Sequence, residues 1–190
     1  MSDSLKKYFI DLGYSDSELL ENLISKFESL EFSKRELLSN LDIVCDRLFF
    51  LEKGCVRFFI YDNKGNEVTT DFSFGPSFIT SFTSYINGSP SQVGIEAVSD
   101  CSVFWTTKSK LEELFRRDCR FLEIGLKLTE KVFVISESHM LSLLTKTPLE
   151  RYEYLLEMHP EYVLNIPLKY LASYLGMTPE TLSRIRAKIS

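Results

Sequence analysis

The sequence predicts an α+β protein in which a β-rich middle section lies between two helical sections. From Arg47 to Thr106 the apolar residues occur in short runs separated by turn residues. Before and after this stretch they recur at helical spacing. The chain has 190 residues and is 44% hydrophobic, so it can bury the core of one or two domains.

Residues 1–40 are predicted to form short amphipathic helices. Their apolar residues recur at helical spacing, as in Leu19, Leu20, Leu23, Ile24 and Phe27. The first ten residues lack the basic start and apolar stretch of a secretory signal. The longest apolar runs are too short to cross a membrane. A cytoplasmic location is therefore expected.

The middle section is predicted to form a small antiparallel barrel or sandwich. RLFFLEKG and CVRFFIY flank a turn at Lys53-Gly54, DNKGN supplies the next turn, and EVTTDFSF follows. After a polar insert compatible with a short helix, QVGIEAVSD and CSVFWTT predict two more strands. Short strands at such intervals, rich in Phe, Val and Tyr, are typical of antiparallel β folds.

One long helix is predicted from about residue 118 to residue 144. Two apolar rows recur along it every seven positions: Phe121, Leu128 and Ile135, and Leu126, Phe133 and Met140. Such a stripe is wider than a coiled-coil seam, so one row is predicted to pack on its own domain and the other on a second copy. Packing of both rows within one chain is the alternative.

The end of the chain has the pattern of a helix-turn-helix. In TPLERYEYLL, Thr147 is predicted as an N-cap, Pro148 as the first helical residue and Glu150 as the partner in a capping box. The next helix has one apolar face and begins at Pro167 as its first residue; that face consists of Leu168, Leu171, Ala172 and Leu175. Gly176 then suits a left-handed turn.

A second short helix is predicted to follow this turn. Thr178 is a suitable N-cap and Pro179 a suitable first residue. The inward face is predicted to consist of Leu182, Ile185 and Ile189, and the outward face of Glu180, Arg184 and Lys188. A pair of core helices is the alternative, but two short helices joined by a glycine turn, the second with a charged face, favour a DNA-binding head.

The charge of the chain is distributed unevenly. The net charge is −5. After residue 164 there are four basic residues and one acid: Lys169, Arg184, Arg186, Lys188 and Glu180. The tip therefore carries +3 and the rest of the chain −8. An acidic body with a basic tip attracts polyanions only at that tip, although a last helical turn also carries basic residues to suit the helix dipole.

The sequence offers no catalytic or metal-binding constellation. It contains two histidines, His139 and His159, and no C-x-x-C pair, G-x-S-x-G motif, P-loop or H-E-x-x-H motif. We therefore expect no enzyme activity, no metal and no catalytic residue. The four cysteines are predicted to be ordinary buried thiols: Cys45, Cys55, Cys101 and Cys119.

The chain resembles the bacterial Crp/Fnr family of transcription regulators over nearly its whole length. IPLKYLASYLGMTPETLSRIR resembles the family's C-terminal helix-turn-helix, and RLFFLEKGCVRFFIYDNKGNEV resembles the start of its cyclic-nucleotide-binding β-barrel. The resemblance implies a jelly-roll-like effector domain with flanking helices at 1–117, a dimerisation helix at 118–146 and a DNA-binding head at 147–190. It also implies a homodimer that binds double-stranded DNA, with RNA polymerase as a candidate partner.

The effector pocket departs from the family pattern. Members that bind cyclic nucleotides carry a Gly-Glu pair for the ribose and an Arg followed by a small residue for the phosphate. Aligned without gaps, Thr80-Ser81 and Ser91-Gln92 occupy those positions here, and no basic residue lies between Gly75 and Cys101. The sequence therefore predicts a degenerate cassette with no nearby Arg or Lys to replace the lost one. Cyclic AMP is not expected to bind, no cofactor is expected, and the effector, if there is one, is unknown.

The resemblance also assigns roles on the last helix. Glu180 and Arg184 match the family positions that contact base edges, and their chemistry suits cytosine and guanine. Four further residues are expected to contact phosphates: Lys169, Thr178, Thr181 and Lys188. Arg186, at the flank of the packing face, is assigned a backbone or structural role. The alternative function is a sensor or adaptor protein whose terminal helices bind another protein. This alternative would require an apolar outward face on the last helix.

Overall fold

The computed structural model describes residues 3–189, which form two compact units. The barrel unit contains the residues up to Phe59 together with Phe72–Gly125. The head unit contains Ile60–Asp71 and the residues from Leu126 onward. Met1, Ser2 and Ser190, at the ends of the predicted ranges 1–117 and 147–190, lie outside the described residues.

The described chain contains eight strands and nine helices. The strands are β1 (Glu28–Phe32), β2 (Leu37–Ser39), β3 (Arg47–Lys53), β4 (Cys55–Tyr61), β5 (Glu67–Phe74), β6 (Ser77–Ile79), β7 (Gly94–Ala97) and β8 (Cys101–Thr107). The helices are α1 (Asp3–Asp11), α2 (Ser17–Ile24), α3 (Phe82–Asn87), α4 (Lys108–Arg117), α5 (Arg120–Thr145), α6 (Pro148–Met158), α7 (Pro160–Asn165), α8 (Leu168–Tyr174) and α9 (Pro179–Ile189). The predicted α+β class is confirmed.

Two four-stranded sheets form the β section. Their strand orders are β1-β8-β3-β6 and β2-β7-β4-β5, and the strand pairs with a determined register are antiparallel. Alternate residues of both sheets point into one core, in which Phe49 and Leu51 of β3 lie with Val56 of β4 and Ile95 of β7. On its other face β3 carries Phe50, which packs against the ring of Tyr8 from α1.

The prediction that residues 1–40 are all helical is wrong after Ile24. The segment from Glu28 to Phe32 forms β1, which pairs along its length with β8, and Leu37–Ser39 forms β2, which pairs with β7. Helical spacing in these short runs is overridden because strand partners far away in the sequence supply the backbone hydrogen bonds. The sequence also did not predict β6, α4 or α7.

The prediction of four buried thiols is correct for three of them. Cys45, Cys55 and Cys101 are buried, whereas Cys119 is exposed in the turn between α4 and α5. Burial raises the pKa of Cys55 to about 12 and also raises that of Cys101, so both are protonated thiols at neutral pH. Cys119 escapes burial because the apolar face of α5 begins only at Phe121.

The predicted long helix is present as α5, which has 26 residues. Phe121 of the first row is buried at its start, together with Ile124. Ile135 of the same row is half exposed, so that row does not pack on its own chain along its full length. No helix among the described residues is long and apolar enough to cross a membrane.

Candidate nucleic-acid interface

The head unit builds the predicted helix-turn-helix from α8 and α9. Leu171, Ala172 and Leu182 are completely buried and Leu175 nearly so, and together they hold the two helices against each other. Two details of the prediction are wrong. Pro167 is the residue before α8 rather than its first residue. Ile189 is 44% exposed and therefore lies outside the packed face.

The turn between α8 and α9 depends on Gly176. Its φ is +63°, and the amide of Gly176 donates to Ser173 O while that of Met177 donates to Ala172 O. These two hydrogen bonds form a Schellman motif, which favours glycine at the left-handed position. A Cβ on Gly176 would also lie 3.1 Å from Cδ2 of Leu143 on α5. The predicted glycine turn is confirmed, with close packing as a second reason for glycine.

The outward face of the two helices carries the predicted DNA-contacting residues. Lys169 of α8 is exposed, as are Thr178 and, along α9, Glu180, Arg184 and Lys188. Spacing by four places the last three along one side of α9. Thr181 is half-buried beside them. The six residues therefore all belong to one helix pair and its turn, while their contacts with DNA stay a prediction.

Polar groups at the start of α9 are tied to one another. Thr178 Oγ1 accepts from the Thr181 amide at 3.3 Å and lies 3.2 Å from Thr181 Oγ1. A hydrogen bond from the backbone N–H of Glu180 lowers the pKa of its own carboxyl, with smaller contributions from the Thr178 hydroxyl and from the Arg184 charge. Glu180 is therefore a carboxylate at neutral pH and can accept from a cytosine amino group.

Arg186 lies apart from this charged face. Its guanidinium lies 5.8 Å from the ring centroid of Tyr152, which is buried on α6. A cation over an aromatic face is a packing interaction. The position agrees with the structural role predicted for Arg186.

One residue of the head unit was not predicted from the sequence. Arg151 of α6 is 8% exposed and donates hydrogen bonds to backbone carbonyls at the end of α5 and in the turn after α8. The one signal in the sequence is its position four residues before Leu155, on the apolar side of α6.

One stripe of α5 carries exposed apolar side chains. Its members lie four or seven residues apart and are each more than half exposed: Leu122, Leu126, Phe133, Met140 and Leu144. This stripe contains the second of the two predicted rows. A regular apolar stripe of this length is the pattern with which helices pair.

The two serines at the predicted cassette positions bond to each other. Ser81 Oγ and Ser91 Oγ are 2.6 Å apart and both residues are buried. Ser91 Oγ also lies 2.7 Å from Val93 O and accepts from the Val93 amide at 3.1 Å. Thr80 is buried and donates to Arg47 O, whereas Gln92 is exposed. The hydroxyls at the two predicted anchor positions therefore already have hydrogen-bond partners within the chain.

The absence of basic residues between Gly75 and Cys101 in the sequence does not keep cations away from this stretch in the fold, although whether any cation could replace the lost arginine stays a prediction. Lys108 Nζ donates to Ile86 O of α3 at 2.7 Å, and the buried Arg57 pairs with Glu96 of β7. Both come from distant parts of the sequence, which is why the gap between Gly75 and Cys101 did not reveal them. Lys108 caps the end of α3 and Arg57 neutralises Glu96, so both cations already have acceptors.

A comparison with protein-family models finds a match in the β section. Residues 29–118 match the family model of the cyclic nucleotide-binding domain. The matched range covers the eight strands apart from the first residue of β1, and it ends just after α4. A comparison with curated protein sequences gives no significant match.

Solved structures identify the fold of the whole chain. FixK2 from Bradyrhizobium japonicum is similar with a TM-score of 0.75 and 24% identity, over 86% of this chain and 84% of that one. A Crp/Fnr regulator from Eubacterium rectale gives 0.71 and 17%, over 94% and 85%. Thermus thermophilus catabolite activator protein gives 0.57 and 18%, over 91% and 83%. The chain has the Crp/Fnr fold, as its resemblance to that family predicted.

Nothing in residues 3–189 forms a group of three or more His, Cys, Asp or Glu side chains that could hold a metal ion. The fold joins the section that matches this domain model, the long helix α5 and the helix-turn-helix of α8 and α9 in one chain. A function for this chain has to explain three features: the exposed face of α8 and α9, the apolar stripe of α5, and the hydrogen-bonded pair Ser81 and Ser91.

Proposed function

We propose that the chain is a sequence-specific DNA-binding transcription regulator of the Crp/Fnr type. The observation that carries this proposal is the side of α9 on which Glu180, Arg184 and Lys188 are exposed while Leu182 is completely buried. A helix held by its apolar side and open on a charged side can enter the major groove. The net charge of +3 after residue 164 attracts the phosphates, and the acidic remainder keeps the polyanion at the tip.

The composition of α9 favours DNA over a protein partner. Its exposed residues are Glu180, Ser183, Arg184, Ala187, Lys188 and, at the end, Ile189. A helix that docks into another protein presents apolar anchors three and four residues apart. Within the described part of α9, Ile189 is the only large exposed apolar side chain. The DNA-binding experiment therefore also tests the adaptor alternative, which is favoured if the protein binds no duplex.

The proposal includes a homodimer formed through α5. Leu126, Phe133 and Met140 repeat every seven residues and are exposed in the single chain, which is the pattern of a helix that pairs with its own copy. The corresponding domains are an effector-type domain at 1–117, a dimerisation helix at 118–146 and a DNA-binding head at 147–190. Two heads in one dimer would read two half-sites.

We also propose that cyclic AMP is not the effector. A cyclic phosphate needs a cation and the ribose a carboxylate, but the two anchor positions hold Ser81 and Ser91, which hydrogen-bond to each other in a buried position. Entry of the nucleotide would break this pair without offering a charged partner in return. Titration calorimetry with cyclic AMP and cyclic GMP should show no heat of binding at micromolar protein. A micromolar dissociation constant would contradict this part of the proposal.

Selection of duplexes from a random pool tests DNA binding directly. We expect one enriched motif with two related halves. The double variant Arg184→Ala/Lys188→Ala should enrich no motif. The matched control is Arg116→Ala/Arg117→Ala, which removes two exposed cations from α4 and should select the wild-type motif. Failure of the wild-type protein to enrich any duplex would overturn the regulator proposal and favour the adaptor alternative. Contact with RNA polymerase stays a prediction.

A further inference from the structure

The side chain of Arg151 joins two helix ends within the head unit. Its Nε donates to Leu175 O at 2.7 Å, and its Nη2 donates to Gly176 O at 3.4 Å. Its Nη1 donates to Lys146 O at 2.6 Å and lies 3.5 Å from Leu143 O. One planar guanidinium therefore contacts the last carbonyls of α5 and the carbonyls of the turn between α8 and α9.

The chemistry of this contact explains why an arginine is buried here. The last carbonyls of a helix have no partner within the helix, and they lie at the negative end of its dipole. A buried cation is otherwise costly, and the observed hydrogen bonds of Arg151 in the described chain go to carbonyls rather than to a carboxylate. Two helix ends share the charge, and the rigid fork of a guanidinium reaches both at once, which a lysine ammonium cannot do.

The same turn is also packed against a side chain of α5. Gly176 leaves room for Leu143 of α5, since a Cβ there would lie 3.1 Å from Leu143 Cδ2 and 3.7 Å from Arg151 Nη2. The turn is thus held by hydrogen bonds from Arg151 and by van der Waals packing on Leu143. Any rotation of the helix pair α8–α9 about the end of α5 has to break both.

We infer that Arg151 is a positioning residue that fixes the DNA-reading helix pair at the end of α5 and thereby sets the distance between the two heads of the dimer. This inference rests on the proposed function. Arg151 is buried, so it acts on DNA recognition through the turn. Its loss should loosen the preference for one half-site spacing, while the preference for bases within a half-site, which Arg184 is proposed to read, should persist.

The experiment uses the duplex selected by the wild-type protein and versions with one or two base pairs inserted between the half-sites. Arg151→Met should reduce the ratio of affinities for correct and altered spacing by about tenfold, which is the effect of losing one charge-assisted hydrogen bond. Arg151→Lys should fall between Met and wild type. The dependence of binding on salt should be unchanged, because a buried guanidinium releases no counterion from DNA.

The matched control is Arg117→Met, which removes an exposed cation from α4 and should keep the full spacing preference. A second measurement does not depend on DNA. Amide hydrogen exchange at Leu175, Gly176 and Met177 should be faster in Arg151→Lys than in wild type, with the barrel unit unchanged. If Arg151→Met does not fold, Arg151→Lys carries both measurements.

The outcomes separate this inference from the proposed function. If the wild-type protein selects no duplex, the proposed function fails, and hydrogen exchange alone then decides whether Arg151 holds the turn. If DNA is bound but both Arg151 variants keep the wild-type spacing ratio, the positioning inference is overturned and the regulator proposal stands. Unchanged exchange at residues 175–177 would likewise overturn it.

Discussion

The imidazole of His139 lies flat against the ring of Tyr174, with the ring centroids 4.1 Å apart and the ring planes parallel to within 1°. His139 belongs to α5 and Tyr174 is the last residue of α8, so this stack joins the long helix to the helix-turn-helix inside the head unit. Burial, and secondly the positive charge of Arg151, lower the pKa of the imidazole. Burial, and secondly the charges of Asp71 and Tyr154, raise the pKa of the Tyr174 hydroxyl. Both rings are withdrawn from water, which favours their neutral forms.

The first prediction concerns the pH dependence of stability. Burial, and secondly the charge of Arg151, lower the pKa of His139 from 6.5. Since the folded imidazole binds its proton less readily than the unfolded one, this contribution to stability is fully present above pH 6.5. It is lost as the pH falls through the lowered folded value. Urea unfolding at pH values on both sides of 6.5 should show lower stability on the acid side.

The control for this prediction is His139→Phe, which keeps a stacked ring and cannot titrate. Its stability should fall less than that of wild type over the same acid range. A proton NMR titration of His139 adds a direct reading. In Arg151→Met its pKa should move back towards the ordinary value, since one of the two causes of the shift is removed. Identical pH dependence in wild type and His139→Phe would contradict the prediction.

The second prediction concerns sequence reading by Arg184. Its guanidinium is exposed on the side of α9 that also carries Glu180. A bidentate contact with guanine contributes about 1–3 kcal/mol to discrimination, so Arg184→Ala should weaken specific binding by that amount and relax the preference at one base pair in each half-site. Fluorescence anisotropy with duplexes substituted at single positions measures this change. An unaltered base preference would exclude Arg184 as a reading residue.

The third prediction concerns Lys188, one helical turn beyond Arg184. A lysine that contacts only phosphate contributes equally to every sequence, so Lys188→Ala should weaken specific and non-specific duplexes alike. The slope of log affinity against log salt should become shallower by about one for each phosphate that the variant no longer neutralises. Titrations at several salt concentrations measure the slope. A weakening confined to the selected motif would instead assign Lys188 to base reading.

The fourth prediction concerns the apolar stripe of α5. Wild-type protein should have twice the 22.0 kDa chain mass by light scattering at micromolar concentration. Phe133 is 65% exposed in the single chain, and a carboxylate in its place would be buried at the helix pair, so Phe133→Glu should shift the protein to one chain mass. The matched control is Ser138→Glu, an exposed polar position outside the stripe. A monomeric wild-type protein would contradict the dimer.

Local chemistry was sufficient to predict much of the head unit. The capping box of Thr147 and Glu150 is present at the start of α6, with Pro148 as its first residue. Gly176 makes the predicted left-handed turn. These features can be predicted from the sequence because each depends on a few residues close together in the chain. Within one turn, the side chains present determine the backbone conformation and its caps. The strands β3, β4, β5 and β8 could also be predicted, because each is a short apolar run bounded by turn residues.

Only the tertiary structure decided the features that depend on distant partners. Residues 28–32 became a strand because β8 offers an edge about seventy residues later, which outweighs a weak helical spacing. Arg57 met Glu96 across β4 and β7, and Arg151 met carbonyls of two other helices. A buried charge is tolerated only where its acceptors converge, and that convergence is a property of the folded chain rather than of any segment.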